Sequence, residues 1–280
     1  MAYRYFIKLS FDGTNYSGWQ IQDNTPNTVQ QVLNNNLSKL LNEKICVHGC
    51  CRTDAGVHAK ELFAHFDSEK NLTANPSSPK AGTYLNEKEQ KKNENWLYKF
   101  NCVLPPDISA DEIIPVKNDA SARFDATSRT YQYFITQKRN SFLLNRIYYC
   151  YGNLNLPLMK DATKILKEYD DFTSFSKLNT QTKTNICKIT ETKLDILPLF
   201  PYSLNNDMQE VFVFTITANR FLRGMVRMII GTIAEVGKKN ITLKNFREII
   251  ESKDCRNAKM ALPAYGLYLI QVKYPQKIFL

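Results

Sequence analysis

Arg52-Thr53-Asp54-Ala55-Gly56-Val57-His58-Ala59 places a carboxylate two residues after a guanidinium and follows it at once with Ala-Gly. A carboxylate can serve as nucleophile or as general base. Glycine lets the backbone turn where a Cβ would clash. Apolar runs at 45–51 and 61–66 flank the stretch, and both read as short strands because β-branched, aromatic and small residues dominate them. Asp54 is therefore expected at a strand end, where chemistry tends to sit. An Asp-x-Gly turn also forms with no function at all, its side chain bonding to nearby backbone.

Two other groups could do chemistry. Cys46, His48 and Cys50 alternate along the expected 45–51 strand and would share a face. A zinc site there lacks a fourth ligand and the usual spacings. The seven cysteines include no Cys-x-x-Cys pair and are odd in number, so they read as reduced thiols, and no metal is expected. Arg220, Arg223 and Arg227 lie three and four apart in an expected helix over 221–236, which makes them a neighbouring row. Such a row is commonly a solvated face. Arg227, however, falls between Val226 and Met228, where an unpaired charge is costly, so a planar acidic partner such as Asp54 is expected.

The elements that must position these residues follow from periodicity. Residues 3–11 alternate as a half-buried strand, with Phe6 the exception. The loop after it carries Tyr16 and Trp19, which read as a core lid rather than a stacking surface. Thr28-Val29-Gln30-Gln31 is a capping-box sequence that opens an amphipathic helix to about Leu41. Residues 68–95 are polar and proline-containing, and read as a long excursion. A short helix through Trp96, Leu97 and Phe100 then meets Leu104-Pro105-Pro106-Asp107, where a boundary is expected between domains at 1–106 and 107–280. Beyond it come a strand over 130–136, a helix opened by Pro157, strands over 186–196 and 210–218, the 221–236 helix capped by Gly237, a helix from about Thr242, and a strand over 267–274. The fold class expected is α+β, with two ferredoxin-like βαββαβ halves forming one largely antiparallel mixed sheet and helices packed on it.

Composition narrows the function. At 280 residues and 43% hydrophobic, the chain can bury a core. No run of 18 apolar residues predicts a membrane span, and the N-terminus enters a strand pattern directly, so a cytoplasmic protein is expected. The formal charge is +10, and residues 151–280, with 19 Lys/Arg against 12 Asp/Glu, hold +7 of it. A basic half in a chain with 12% aromatic residues suits a polyanion, most simply nucleic acid, although basic surfaces also serve solubility.

Three stretches together resemble one family, the tRNA pseudouridine synthase A family. The stretch from Arg52 to Ala59 resembles its active-site motif. Ala122-Arg123-Phe124-Asp125-Ala126-Thr127-Ser128-Arg129-Thr130-Tyr131-Gln132-Tyr133 resembles its second motif, and Phe221-Leu222-Arg223-Gly224-Met225-Val226-Arg227 with Gly231-Thr232 its third. Weaker matches, at 104–107, 171–175 and 266–269, fall in the right order. Cys51 and Gly224 depart from the pattern, and the polar excursion is longer than usual.

The resemblance implies isomerisation of uridine to pseudouridine at positions 38–40 of the tRNA anticodon stem-loop, without metal or cofactor, by a homodimer. It implies Asp54 as nucleophile, attacking C1′ of the ribose or C6 of the uracil, and Tyr131 stacked on the base. Arg227 would keep Asp54 ionised, Arg52 would fill the space left by the flipped nucleotide, and Leu267 would wall the pocket. Arg220 and Arg223, in the basic half, would grip RNA phosphates. Two other classes stand beside this one. A non-catalytic RNA-binding protein on the same scaffold would have no need of Asp54. A metal-dependent nuclease would gather several carboxylates, and no such cluster is evident.

Overall fold

The computed structural model describes residues 2–72, 96–177, 184–198 and 210–280. The chain divides into two compact units, Met1–Thr127 with Ile270–Leu280, and Ser128–Leu269.

In the first unit β1 (Tyr3–Phe11) is the central strand. It runs antiparallel to β3 (His58–Ser68) on one side and to β4 (Ile108–Val116) on the other. Phe6, the break in the alternation, is buried because the Phe63, Tyr274 and Phe279 rings cover that face, with Tyr274 centred 5.2 Å away. Helix α1 (Val29–Leu41) starts where its sequence predicts, the Thr28 side chain accepting from the Gln31 amide, but only half of the expected capping box forms, because Gln31 Nε2 donates to Asn35 Oδ1 at 2.8 Å instead. Helix α2 occupies 96–103.

The run at 45–51 forms only a two-residue strand, β2 (His48–Gly49), against β3. Side chains of α1 take up three more of the run's backbone groups. Gln30 Nε2 donates to the Val47 carbonyl at 2.7 Å, the Val47 amide donates to Asn34 Oδ1 at 2.8 Å, and the Ile45 amide donates to Ser38 Oγ at 2.9 Å. A helix thus replaces the ladder. The shared face expected for Cys46, His48 and Cys50 is lost with it: Cys46 and His48 are exposed and Cys50 is buried. The polar excursion begins later than its composition indicates, since Ser68 closes β3 and the Leu72 amide donates to the Tyr5 hydroxyl at 2.9 Å. The rest of it, 73–95, lies outside the described residues.

The double proline at 105–106 leads directly into β4, which still pairs with β1, so the units divide at Thr127 and Ser128 instead. Alternation does not reveal β4, because Asp111, Glu112 and Pro115 interrupt it, residues tolerated on an edge strand.

The second unit has the same order of elements. It comprises β5 (Ser128–Thr136), a short β6 (Tyr148–Tyr149), α3 (Leu156–Ile165), β7 (Ile189–Pro198), β8 (Glu210–Ala218), α4 (Met225–Gly237) and α5 (Leu243–Glu251). The last strand, β9 (Leu267–Lys273), starts in this unit and from Ile270 belongs to the first. β8 is antiparallel to both β5 and β7, and β6 runs parallel to β5. Spatially the first unit reads β4-β1-β3-β2 and the second β9-β5-β8-β7. Each is a βαββαβ unit in the order fourth-first-third-second, so the expected α+β class and ferredoxin-like pattern are present in both.

Helix α4 begins at Met225 rather than 221. Gly224 takes a left-handed φ of +73° as its N-cap, so the preceding residues form a turn. Gly237 is the last helical residue instead of the cap. A Cβ there would lie 2.7 Å from Met159 of α3, so its role is close helix packing.

Candidate active site

Asp54 opens a four-residue turn, Asp54-Ala55-Gly56-Val57, closed by the Val57 amide donating to the Asp54 carbonyl at 3.2 Å. Gly56 has φ +78°, the positive value that the third position of a type II turn requires. The turn feeds straight into β3. Asp54 is half-buried, Arg52 is exposed, and Thr53 between them is buried. The Thr53 hydroxyl has no hydrogen-bond partner among the described residues.

A second loop braces this turn. The Tyr16 carbonyl accepts from the Gly56 amide, and the Thr53 carbonyl accepts from the Trp19 amide, both at 3.3 Å. Two glycines permit the close approach: a Cβ on Gly13 would lie 2.0 Å from the Val57 carbonyl oxygen, and one on Gly18 2.4 Å from that of Thr53. Tyr16 and Trp19 are buried, as the lid reading predicts. The bracing loop is itself tied to the start of β4. The Tyr16 hydroxyl donates to Asp107 Oδ1 at 2.5 Å, and the Asp12 amide donates to the Asp107 carbonyl at 2.9 Å. Burial, then the bond to Asp107, pushes the Tyr16 hydroxyl above the ordinary tyrosine range, so it remains a donor. Nδ1 of buried His58 lies 3.1 Å from the Gly13 amide and 3.0 Å from Asp12 Oδ1, within reach of a donor and an acceptor. Sequence reasoning did not find this brace; its one visible signal is Asp12-Gly13 and Gly18 on either side of Tyr16.

The other expected site residues lie in the second unit. Tyr131 is buried in the middle of β5, opposite Ile216 of β8, and the Phe221 ring stands edge-on to it at 5.1 Å. Arg220 is half-buried and Arg223 exposed, both in the segment between β8 and α4. Only Arg227 is helical, so the three do not form the helical row expected of them. Arg227 Nε donates to the Leu262 carbonyl at 2.6 Å, and the Leu262 amide returns to the Arg227 carbonyl at 3.1 Å. One turn on, a Cβ at Gly231 would lie 2.3 Å from the Met260 carbonyl oxygen, and Thr232 Oγ1 accepts from the Lys259 amide at 3.2 Å. The 259–262 segment is thus strapped along α4. It continues through Pro263, whose carbonyl accepts from the Tyr133 hydroxyl at 2.7 Å, and Gly266, which leaves room for the Tyr133 ring, to buried Leu267.

Among the described residues no group of three or more His, Cys, Asp or Glu could hold a metal ion, and no helix is long and apolar enough to cross a membrane. The fold and these residues define an α+β protein of two ferredoxin-like units, with a carboxylate on a braced strand-end turn.

A family model described as tRNA pseudouridine synthase matches residues 167–275. The chain is 43% identical over 276 residues to a tRNA pseudouridine synthase A of Azobacteroides pseudotrichonymphae, covering 99% of this chain and 98% of that one. It is 43% identical to the Bacteroides thetaiotaomicron protein of the same name, covering 99% and 92%. Against that of Clostridium acetobutylicum it is 38% identical over 270 residues, covering 96% and 98%. The chain belongs to the tRNA pseudouridine synthase A family.

Proposed function

We propose that the protein isomerises uridine to pseudouridine at positions 38–40 of the tRNA anticodon stem-loop, with Asp54 as the nucleophile. The observation that carries this reading is full-length similarity to the family, joined to a carboxylate on a turn that backbone contacts hold in place. Substrate and product are isomers. The N1–C1′ bond breaks, the base turns, a C5–C1′ bond forms, C5 loses a proton and N1 gains one. No atom or electron is left over, so the balance needs no cofactor.

Asp54 attacks C1′ of the ribose or C6 of the uracil. Tyr131 stacks on the uracil, and its hydroxyl helps remove the C5 proton. Arg227 aims the Asp54 carboxylate with its positive charge and planar fork. Arg52 fills the space the flipped nucleotide leaves, and Leu267 walls the base pocket. Arg220 and Arg223 grip phosphates, so affinity falls with salt. The reading includes a cytoplasmic homodimer.

The test is pseudouridine mapping on an unmodified anticodon stem-loop incubated with wild type and Asp54→Asn. Pseudouridine from the wild type alone, with RNA binding kept in the variant, is the expected result. Turnover by Asp54→Asn would remove Asp54 from the mechanism. Salt-sensitive binding with no pseudouridine from either protein would favour a non-catalytic RNA-binding protein.

A further inference from the structure

In the first unit the turn at 121–125 carries two residues to which the chemistry above gives no task. Phe124 is 81% exposed, and the Arg123 guanidinium lies 5.5 Å from the centre of its ring. A single exposed apolar side chain is ordinary on a protein surface. This one differs in how it is carried. The Ser121 amide donates to Asp125 Oδ2 at 2.7 Å, and the Asp125 amide returns to the Ser121 carbonyl at 3.1 Å. The Ala122 amide donates to Nδ1 of buried His65 at 3.1 Å, and the Ala122 carbonyl accepts from the Tyr274 hydroxyl at 2.7 Å. Arg4 Nη1 donates to the Ala120 carbonyl at 3.1 Å. Ala120, just before the turn, and Ala122 within it are buried, so the turn is anchored in the core while the Phe124 ring points to water.

We propose that Phe124, backed by Arg123, is a stacking platform for one unpaired base of the RNA substrate. An aromatic face beside a guanidinium suits a nucleobase, because every base has a π-face and a phosphate attached nearby. The neighbouring positions are polar: Lys117, Asn118, Asp119 and Thr127 are exposed, and the Thr127 amide donates to the backbone of exposed Lys273 at 2.8 Å. One ring on a polar turn is too small for a stable protein interface and is the size of a single base. Rigid anchoring also means that little conformational freedom is lost on stacking.

The inference rests on the RNA-modifying reading, and the experiment separates the two. Fluorescence anisotropy would give Kd for a labelled anticodon stem-loop with wild type, Phe124→Ala, Phe124→Leu and Phe124→Trp. Size-exclusion chromatography with light scattering and thermal melting would run alongside. Phe124→Ala and Phe124→Leu are expected to weaken binding about tenfold or more. Phe124→Trp should bind like wild type, with its indole emission changing on RNA addition. Melting temperature and molar mass should not move, because the ring contributes little to the fold. Unchanged Kd in Phe124→Ala, Phe124→Leu binding as well as Phe124→Trp, or a changed molar mass would each overturn the platform while leaving the modifying activity standing. If wild type neither binds nor modifies the RNA, the functional reading falls and takes the platform with it.

Discussion

The Tyr16 hydroxyl donates to the Asp107 carboxylate at 2.5 Å while the Tyr16 carbonyl accepts from the Gly56 amide at 3.3 Å. One residue therefore links the start of β4 to the turn that carries Asp54. Tyr16→Phe keeps the buried ring and removes only the link to Asp107. A carboxylate displaced by a fraction of an ångström loses rate before it loses binding. The expected result is kcat lowered about tenfold, with stem-loop affinity unchanged. Asp107→Asn retains an oxygen to accept the phenol proton and should retain more activity than Tyr16→Phe. Equal kcat for wild type and Tyr16→Phe would show that the brace does not tune the site.

Gly18 and Gly152 have almost the same φ, +93° and +92°. They differ in surroundings: a Cβ at Gly18 meets the Thr53 carbonyl oxygen at 2.4 Å, whereas one at Gly152 has nothing within 4 Å. Gly152→Ala should cost only the left-handed penalty, about 1–2 kcal/mol. Gly18→Ala should cost clearly more and also abolish turnover, because the clash falls on the residue before Asp54. Denaturant unfolding of the two variants measures the difference, and equal costs would count against the close approach.

Burial first, then the Arg4 charge, push His65 down to about 4; His48, stacked at 5.1 Å, acts in the same direction, while Asp67 and Asp125 oppose it. Its Nδ1 must also stay unprotonated to accept the Ala122 amide. The folded pKa lies below the ordinary 6.5, so between these values the unfolded chain binds a proton that the folded chain does not. Stability is then complete above about pH 6.5 and falls as pH drops toward 4, by at most about 1.4 kcal/mol per unit from this residue. His65→Gln keeps an acceptor and removes the titration. Urea midpoints at several pH values between 7 and 4 should fall less steeply for the variant; identical slopes would exclude His65 as a source of acid sensitivity.

Local pattern was enough wherever one segment carried its own signal. Period-two alternation marks β1, and an apolar run bounded by polar residues marks β8 at the ends observed. Cap residues mark the starts of α1 and α5 at Thr28 and Thr242. Strand and cap preferences depend on neighbours a few residues away, and those are visible in a sequence. The Asp54 turn was legible for the same reason, with Gly56 supplying the positive φ it needs.

What only the tertiary structure decided depends on partners far apart in the chain. Whether 45–51 becomes a strand turns on Gln30, Ser38 and Asn34 taking its backbone bonds. Whether charged β4 is a strand turns on β1 offering it an edge. The brace on Asp54 joins residues near 16, 56 and 107, and the Phe124 turn hangs from Arg4, His65 and Tyr274. Every buried backbone group must find some partner, but many partners can satisfy it. Sequence states the demand, and only the folded chain shows which distant residue meets it.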